Sequence, residues 1–231
     1  MASKVFIVVP AYNEEKTISS VISGLKAEGY RNIVVIDDGS KDRTRELAKR
    51  ARVTVLSHKV NRGQGAALRT GIDYALKQKA NRVVTFDSDG QHNPKDVGAL
   101  LSALDKGVDV ALGSRFLKRH KVPVVRKIFL KGGALSFRVF YKVKLTDSHN
   151  GLRALTRDAA KKIEIKNDDM AHASEIIDSI SKNKLRYKEV PVDIVYTDYS
   201  RRKGQKTINA FRIMSRMISK KVGDSLERKF N

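Results

Sequence analysis

The chain has 231 residues and no cysteine, and its 47 Lys and Arg against 25 Asp and Glu give a formal net charge of +22 at pH 7. This length suits one α/β domain with a sizeable core. The absence of cysteine excludes disulfides, thiolate catalysis and cysteine-ligated zinc, and it favours an intracellular setting. No apolar run approaches the ~18 residues that a membrane-spanning helix requires.

Short runs rich in Val and Ile alternate with stretches of helical character in the first half of the chain. The predicted strands lie at 5–9, 33–36, 53–56, 82–86 and 108–112, and the predicted helices at about 14–28, 42–51, 64–79 and 94–105. This alternation predicts an α/β fold with a parallel sheet and helices on its faces. Ligands bind beyond the carboxyl ends of the strands in such sheets, and the polar segments of this chain fall there.

Polar residues follow the first two predicted strands. The segment Pro10-Ala11-Tyr12-Asn13-Glu14-Glu15 comes after the first, and Asp37-Asp38-Gly39-Ser40 comes after the second. The second segment is explained by a turn in which Ser40 or Asp42 caps the next helix. A carboxylate that accepts hydrogen bonds from the base or ribose of a nucleotide explains it equally well.

A glycine-rich segment, Asn61-Arg62-Gly63-Gln64-Gly65-Ala66-Ala67-Leu68, follows the third predicted strand. Its glycine spacing is similar to that of a dinucleotide-binding fingerprint. That fingerprint belongs after the first strand, and Leu68 replaces its last small residue, so NAD binding is not expected. Close approach of the backbone to a nucleotide, or tight helix packing, explains Gly65.

Two carboxylates directly follow the fourth predicted strand, in Thr85-Phe86-Asp87-Ser88-Asp89-Gly90-Gln91-His92. Because residues i and i+2 of an extended segment project to the same side, Asp87 and Asp89 can converge on one ion. Oxygen ligands of this kind suit Mg²⁺ or Mn²⁺. The alternative is a polar turn in which Asp89 or Asn93 caps the helix that Pro94 begins.

The excess positive charge is concentrated in two segments. Residues 115–145 contain ten Lys or Arg and no Asp or Glu, and residues 200–231 contain ten Lys or Arg against two acidic residues. A charge needed only for solubility would be spread more evenly. The concentration predicts an anionic partner, which is a phosphate, an acidic bilayer or a nucleic acid.

Three segments resemble the family-2 nucleotide-sugar glycosyltransferases of the GT-A fold, which is Rossmann-like: Val9-Pro10-Ala11-Tyr12-Asn13-Glu14-Glu15, Val35-Ile36-Asp37-Asp38-Gly39-Ser40-Lys41-Asp42-Arg43-Thr44 and the Asp87/Asp89 element. The similarity runs from about residue 5 to about residue 206, and the motifs keep their order and spacing. Later segments resemble the branch that makes polyprenyl-phosphate sugars, which includes dolichyl-phosphate mannose and glucose synthases. The segments that carry this second resemblance are 87–92, Gly113-Ser114-Arg115-Phe116, Thr146-Asp147-Ser148-His149-Asn150-Gly151-Leu152-Arg153-Ala154 and Glu189-Val190-Pro191-Val192.

The resemblance implies a role for individual side chains. Asp87, Asp89 and Gln91 would hold Mg²⁺ or Mn²⁺ on the donor diphosphate. The implied catalytic residues are Asp89, Arg115, which would bind phosphate, and Arg126, which would face the lipid phosphate. The implied donor-binding residues are Pro10, Ala11, Tyr12, Glu14, Asp37, Asp38, Gly65, Asp87, Ser88, Arg201, Lys203 and Lys206.

The resemblance also implies a domain organisation. Residues 1–206 would form the catalytic domain, with a basic acceptor- and membrane-facing insertion at 115–145 and a mobile basic loop at 196–206. The apolar spacing within 207–231 predicts a basic amphipathic helix, which suits a helix lying in the membrane interface. Packing of its apolar stripe on the domain's own core is the alternative.

The predicted reaction is metal-dependent, inverting transfer of a sugar from a UDP-sugar or GDP-mannose to a polyprenyl or dolichyl monophosphate. Because such a phosphate is largely dianionic at neutral pH, it needs little help from a general base. Glu175 is the nearest candidate base, and a role on the helix surface explains it equally well. The competing functions are transfer to a sugar hydroxyl in polysaccharide synthesis, and binding of nucleic acid.

The predicted location is peripheral, on the cytoplasmic face of an anionic membrane. Relatives of this branch often carry transmembrane helices after the catalytic domain, whereas this sequence ends at Asn231 without one. The protein would therefore be either peripheral or dependent on a separate membrane protein, and its other expected partners are the nucleotide-sugar and the polyprenyl phosphate. Nucleic acid is not an expected partner, because aromatic residues are few and no RNA-recognition signature is present.

Overall fold

The computed structural model of the protein describes residues 4–117 and 143–195. The strands are β1 (Val5–Ala11), β2 (Asn32–Asp37), β3 (Thr54–Ser57), β4 (Arg82–Thr85), β5 (Val110–Ser114), β6 (Arg153–Thr156) and β7 (Tyr187–Pro191). The helices are α1 (Ile18–Ala27), α2 (Thr44–Arg50), α3 (Gln64–Lys77), α4 (Asp96–Asp105), α5 (Arg157–Lys162) and α6 (His172–Lys182). Every strand and helix predicted for the first half of the chain is present, with ends shifted by a few residues.

The strands form one sheet in the order β3-β2-β1-β4-β6-β5-β7. Only β6 runs antiparallel to its neighbours, β4 and β5, and the other pairs are parallel. The prediction of a mostly parallel central sheet is therefore confirmed. Because β6 is reversed, its first residue, Arg153, lies beside Thr85 of β4 and Leu112 of β5 near the carboxyl ends of those strands.

Helices cover both faces of the sheet, as predicted. On one face, Ile7 and Val9 of β1 belong to a buried core that includes residues of α1 and α4. On the other face, Val8 meets α3 so closely that a Cβ on Gly71 would lie 2.2 Å from Val8 Cγ1. A strand covered on both faces is apolar throughout, which explains the continuous Val and Ile runs of the sequence.

Several predictions fall outside the described residues. They concern Arg126, most of the 115–145 insertion, the loop at 196–206 with Arg201, Lys203 and Lys206, and the amphipathic helix at 207–231. Within residues 4–117 and 143–195, no helix is long and apolar enough to cross a membrane.

Candidate active site

The loops after β1 and β2 are joined by side-chain hydrogen bonds. Asn13, in the left-handed region with a φ of 53°, donates its N–H to Ser40 Oγ (3.0 Å), and its Oδ1 accepts the N–H of Lys41 (2.9 Å). Asp37 Oδ1 accepts the N–H of Ser40, which closes the turn that follows β2. Tyr12 is 37% exposed at this edge, and its predicted contact with a nucleoside stays a prediction.

Asp42 and not Ser40 holds the start of the helix after β2, although the N-cap position itself is Arg43. Asp42 Oδ1 accepts both the backbone N–H (3.0 Å) and the hydroxyl of Thr44, the first residue of α2. This bond satisfies a backbone donor that a helix start leaves unpaired. The turn interpretation is therefore supported in that Asp42 accepts the first backbone donor of α2, but neither Ser40 nor Asp42 occupies the N-cap position.

Asp38 is buried and ties the end of β2 to the segment between β3 and α3. Its Oδ1 lies 2.6 Å from His58 Nδ1 and accepts the N–H of Arg62 (3.0 Å), while its Oδ2 accepts the N–H of Gly63 (2.7 Å). Because both carboxylate oxygens hold the protein's own loop, the main role of Asp38 in the described structure is to shape this edge. Its contact with a base or ribose stays a prediction.

The glycines before and within α3 allow a close packing contact. The N–H of Gly65 donates to the carbonyl of Asp168 (2.8 Å), and a Cβ on Gly65 would lie 2.1 Å from the carbonyl oxygen of Asn167. A Cβ on Gly63 would lie 2.3 Å from the carbonyl oxygen of Asp168. Tight packing therefore explains Gly65, and the backbone donor at the start of α3 is used within the protein. The predicted contact of Gly65 with the donor stays a prediction.

The two carboxylates after β4 lie in different surroundings. Asp87 accepts a hydrogen bond from Gln64 Nε2 at Oδ1 (3.0 Å) and from His92 Nε2 at Oδ2 (3.1 Å). Asp89 Oδ1 accepts the N–H of Gln91 (3.0 Å). Asp89 does not cap α4, which begins at Asp96, so the capping alternative fails for this residue.

These surroundings separate the acidities of the two groups. Burial alone would raise the pKa of Asp87, but the hydrogen bond and charge of His92, with the charges of Arg153 and His172, hold that pKa below its usual value. Burial and repulsion from Asp87 raise the pKa of Asp89 to about 6. Two carboxylates that repel each other in this way are stabilised by a shared cation.

A divalent cation fits this pair. Both ligands are hard carboxylate oxygens, of the kind that Mg²⁺ and Mn²⁺ prefer. Among residues 4–117 and 143–195 no group of three or more His, Asp or Glu side chains is arranged to hold a metal ion. The protein would therefore supply only part of the coordination, and Mg²⁺ at such sites commonly completes it with substrate phosphates and water.

Two other predicted donor-binding residues, Ser88 and Glu14, are buried and form hydrogen bonds within the protein. Ser88 is buried and donates its hydroxyl to the carbonyl of Pro10 (2.7 Å), so it joins the β4 loop to β1. Glu14 is also buried, its Oε2 accepts the hydroxyl of Thr17, and its charge contributes to the raised pKa of Asp89. Ser88 and Pro10 thus fix the carboxylate loop to β1, and the contacts of Ser88, Pro10 and Glu14 with a donor stay predictions.

A second charged group lies at the carboxyl end of β5. Arg115 donates its Nε–H (2.6 Å) and its backbone N–H (3.2 Å) to Oδ2 of Asp147, whose side chain is fully buried. Glu189 of β7 holds this turn, because its Oε1 accepts the N–H groups of Thr146 (2.8 Å) and Asp147 (3.0 Å). The predicted phosphate-binding arginine is therefore fixed by an acidic residue for which the sequence predicted no role.

Glu175 has a structural role. Its Oε2 accepts the backbone N–H groups of Lys166 (2.9 Å) and Asn167 (2.8 Å), which shapes the segment that packs on Gly63 and Gly65. This observation favours the structural alternative for Glu175 over a catalytic base. The sequence did not single out Gln64, His92, Asp147, Arg153 or His172 as site residues. His92, Asp147 and Arg153 lie in segments that carried the resemblance, and Gln64 lies in the glycine-rich segment.

Comparisons with known proteins identify the family to which this chain belongs. The family model described as Glycosyl transferase family 2 matches residues 6–164. An uncharacterised protein of Methanocaldococcus jannaschii is 44% identical over 225 residues, which cover 95% of this chain and 93% of that protein. The UDP-N-acetylglucosamine–dolichyl-phosphate N-acetylglucosaminyltransferase of Methanococcus voltae is 34% identical over 98% of this chain and 100% of its own length. The resemblance to polyprenyl-phosphate sugar synthases is confirmed by this relative.

Solved structures agree on the fold. Glucosyl-3-phosphoglycerate synthase of Mycobacterium tuberculosis, in complex with Mn²⁺, uridine diphosphate and phosphoglyceric acid, superimposes with a TM-score of 0.73 at 19% identity, covering 96% of this chain and 78% of that one. The family match covers most of this chain and the sheet has the predicted architecture. The chain therefore belongs to glycosyl transferase family 2, and the protein is a glycosyltransferase of the GT-A type.

Proposed function

We propose that this protein transfers a sugar from a nucleoside-diphosphate sugar to the phosphate of a polyprenyl monophosphate. The observation that carries the proposal is the placement of two kinds of charged group at neighbouring strand ends. The carboxylates Asp87 and Asp89 follow β4, and the Arg115–Asp147 pair follows β5, with the start of β6 between them. One group suits a cation on a diphosphate, and the other suits a second anion.

The chemistry follows from this placement. An oxygen of the acceptor phosphate attacks the anomeric carbon, and the bond from that carbon to the diphosphate oxygen breaks, so the configuration inverts. When bound, Mg²⁺ or Mn²⁺ supplies positive charge to the departing diphosphate. Asp87 and Asp89 would hold that ion, Gln91 is a proposed further ligand, and Arg115 would orient the acceptor phosphate. A phosphate dianion needs no strong base, and the engagement of Glu175 by backbone donors agrees with this.

The relative from Methanococcus voltae, by its name, uses UDP-N-acetylglucosamine and dolichyl phosphate. UDP-N-acetylglucosamine is therefore the first donor to test, followed by UDP-glucose and GDP-mannose. The protein is incubated with labelled donor, polyprenyl phosphate and Mn²⁺ or Mg²⁺. We expect label in the organic phase, none when the acceptor is unphosphorylated polyprenol, and none with EDTA. Transfer to sugar hydroxyls in place of the lipid phosphate would contradict the proposal.

We also infer a peripheral location at the cytoplasmic face of an anionic membrane, because a polyprenyl phosphate resides in a bilayer. The two basic segments support this inference, since each Lys or Arg near an anionic surface contributes about 1 kcal/mol of attraction. We expect co-sedimentation with anionic vesicles at low salt and release at high salt. Equal binding to neutral vesicles would contradict an electrostatic attachment.

A further inference from the structure

Arg153, the first residue of β6, is buried with 4% of its surface exposed. Its Nη1 is buried and has no hydrogen-bond partner in the part of the chain that the structure describes. Burying a charged group is costly unless hydrogen bonds compensate for the lost water. The charges of Asp87 and Asp147 compensate for part of this cost, but the N–H groups of Nη1 lack an acceptor among the described residues.

Other partly buried arginines show that this chain does satisfy a guanidinium where the role is structural. Arg69 donates to the carbonyl of Ile165 (2.8 Å) and to Asp168 Oδ1 (2.7 Å). Arg157, four residues after Arg153, donates to the carbonyls of Leu76 (3.2 Å) and Ala80 (2.9 Å). The contrast separates Arg153 from the arginines that only hold the fold together.

The position of Arg153 points to the substrates. It lies opposite Thr85, two residues before Asp87, and opposite Leu112, three residues before Arg115. Its charge interacts with the carboxylates of Asp87 and Asp147, one in each of the two charged groups. Arg153 therefore lies between the carboxylates proposed to hold the donor diphosphate and the arginine proposed to hold the acceptor phosphate.

We propose that Arg153 is a substrate-binding residue that donates hydrogen bonds to a phosphate oxygen, either in the donor diphosphate or in the acceptor monophosphate. This inference rests on the proposed function, since it takes the anion to be one of the two substrates. A guanidinium suits the task because its fixed set of N–H donors matches the geometry of a phosphate. The two neighbouring carboxylates balance its charge until the anion binds.

The test uses two variants of the full chain. Arg153→Met keeps a long side chain and removes the charge, and Arg153→Lys keeps the charge and removes the planar set of N–H donors. The matched control is Arg157→Met, which removes a structural arginine of the adjacent helix. Circular dichroism confirms that each variant is folded. Calorimetry with UDP and Mn²⁺ gives the Kd for the nucleotide, and transfer assays give the KM for polyprenyl phosphate.

We expect Arg153→Met to raise the Kd for UDP or the KM for polyprenyl phosphate about tenfold or more, because charge-assisted hydrogen bonds are lost. Arg153→Lys should recover part of the loss, and Arg157→Met should change neither constant. A changed Kd for UDP assigns the donor diphosphate, and a changed KM for the lipid assigns the acceptor. Both constants within twofold of wild type in folded Arg153→Met or Arg153→Lys protein would overturn the proposal. If the wild-type protein neither binds nucleotide nor transfers sugar, the proposed function itself fails, and this inference fails with it.

Discussion

The polar side chains on the two sides of the sheet's carboxyl edge differ in whether the described protein satisfies their hydrogen bonds. On the β1–β2–β3 side, both oxygens of Asp38 accept hydrogen bonds from the protein, and Asn13 joins two loops. On the β4–β6–β5 side, three buried side-chain atoms have no partner, and they are all of this kind within residues 4–117 and 143–195: His92 Nδ1, Asp147 Oδ1 and Arg153 Nη1.

This difference separates the part of the edge whose polar side chains hold the fold from the part that we propose binds a ligand. A satisfied polar group holds its loop in place at a modest net gain in stability, whereas each buried group without a partner costs about 1–3 kcal/mol. The loops that Asn13 and Asp38 hold are therefore fixed by the protein's own hydrogen bonds. On the β4–β6–β5 side, the described residues supply no partner for the three buried atoms, and a substrate phosphate or a cation is the partner that the proposed function offers.

The largest effect should come from Asp89→Asn, which removes one of the two charges proposed to hold the cation. Because metal electrostatics supplies several kcal/mol to such reactions, we expect transfer to fall roughly a thousandfold. The free energy of unfolding should not decrease, since repulsion from Asp87 is relieved. The exposed Asp158→Asn is the control and should keep full activity. If Asp89→Asn protein transferred sugar at the wild-type rate with Mn²⁺, the ligand-binding role proposed for the β4–β6–β5 side would be wrong.

Gly151→Ala tests how tightly Asp87 is placed. A Cβ at residue 151 would lie 2.0 Å from Asp87 Oδ2, so the carboxylate must move. A displacement of about 1 Å in a site of this kind lowers the rate about a hundredfold, which is the loss we expect in transfer assays. Gly98→Ala is the matched control, because no atom lies within 4 Å of the added methyl group. It should keep activity and raise the free energy of unfolding by about 0.5–1 kcal/mol.

We expect protonation of His172 to make the free energy of unfolding depend on pH. Burial, and then the charge of Arg153, lower its pKa to about 4, while the unfolded value is about 6.5. The folded state therefore binds fewer protons between these values, and stability falls as the pH decreases from about 6.5 towards 4. Linkage gives a loss on the order of 2 kcal/mol between pH 7 and pH 5.

Urea unfolding at pH 7 and pH 5 measures this loss. His172→Asn keeps a side-chain donor for the carbonyl of Asp169, which accepts from His172 Nδ1 (2.9 Å). The variant should lose clearly less stability over the same range than the wild type. An identical pH dependence in both proteins would show that His172 does not remain neutral beside Arg153.

The smallest effect should come from Asp147→Asn, which weakens the hold on Arg115 without removing it. We expect the KM for polyprenyl phosphate to rise about tenfold while the Kd for the nucleotide changes little, because the hydrogen bonds that orient Arg115 near the proposed acceptor lose their charge assistance. Steady-state kinetics with varied lipid and calorimetry with UDP separate the two effects. An equal change in both constants would mean that Asp147 supports the whole edge and not Arg115 alone.

Local sequence patterns were sufficient for much of the fold. Val and Ile runs predicted β1 to β5, because a strand covered on both faces must be apolar throughout. Ile18, Val21, Ile22 and Leu25 recur at helical spacing and form the buried side of α1. The position of Asp87 and Asp89 after β4 was also predicted, since the polar loops of a parallel sheet gather at its carboxyl edge.

Tertiary structure decided the rest. The sequence alone determined that this protein has strands alternating with helices, paired carboxylates at a strand exit and two strongly basic segments. Only the folded chain placed β6 between β4 and β5, which brings Arg153 beside Thr85 across 68 positions of sequence. Only the folded chain showed that Asp38 forms hydrogen bonds with His58, Arg62 and Gly63, and that Gly65 donates its N–H to Asp168. The physical reason is that periodicity records which face of an element is buried, whereas the partner of a buried charge depends on elements that are distant in sequence.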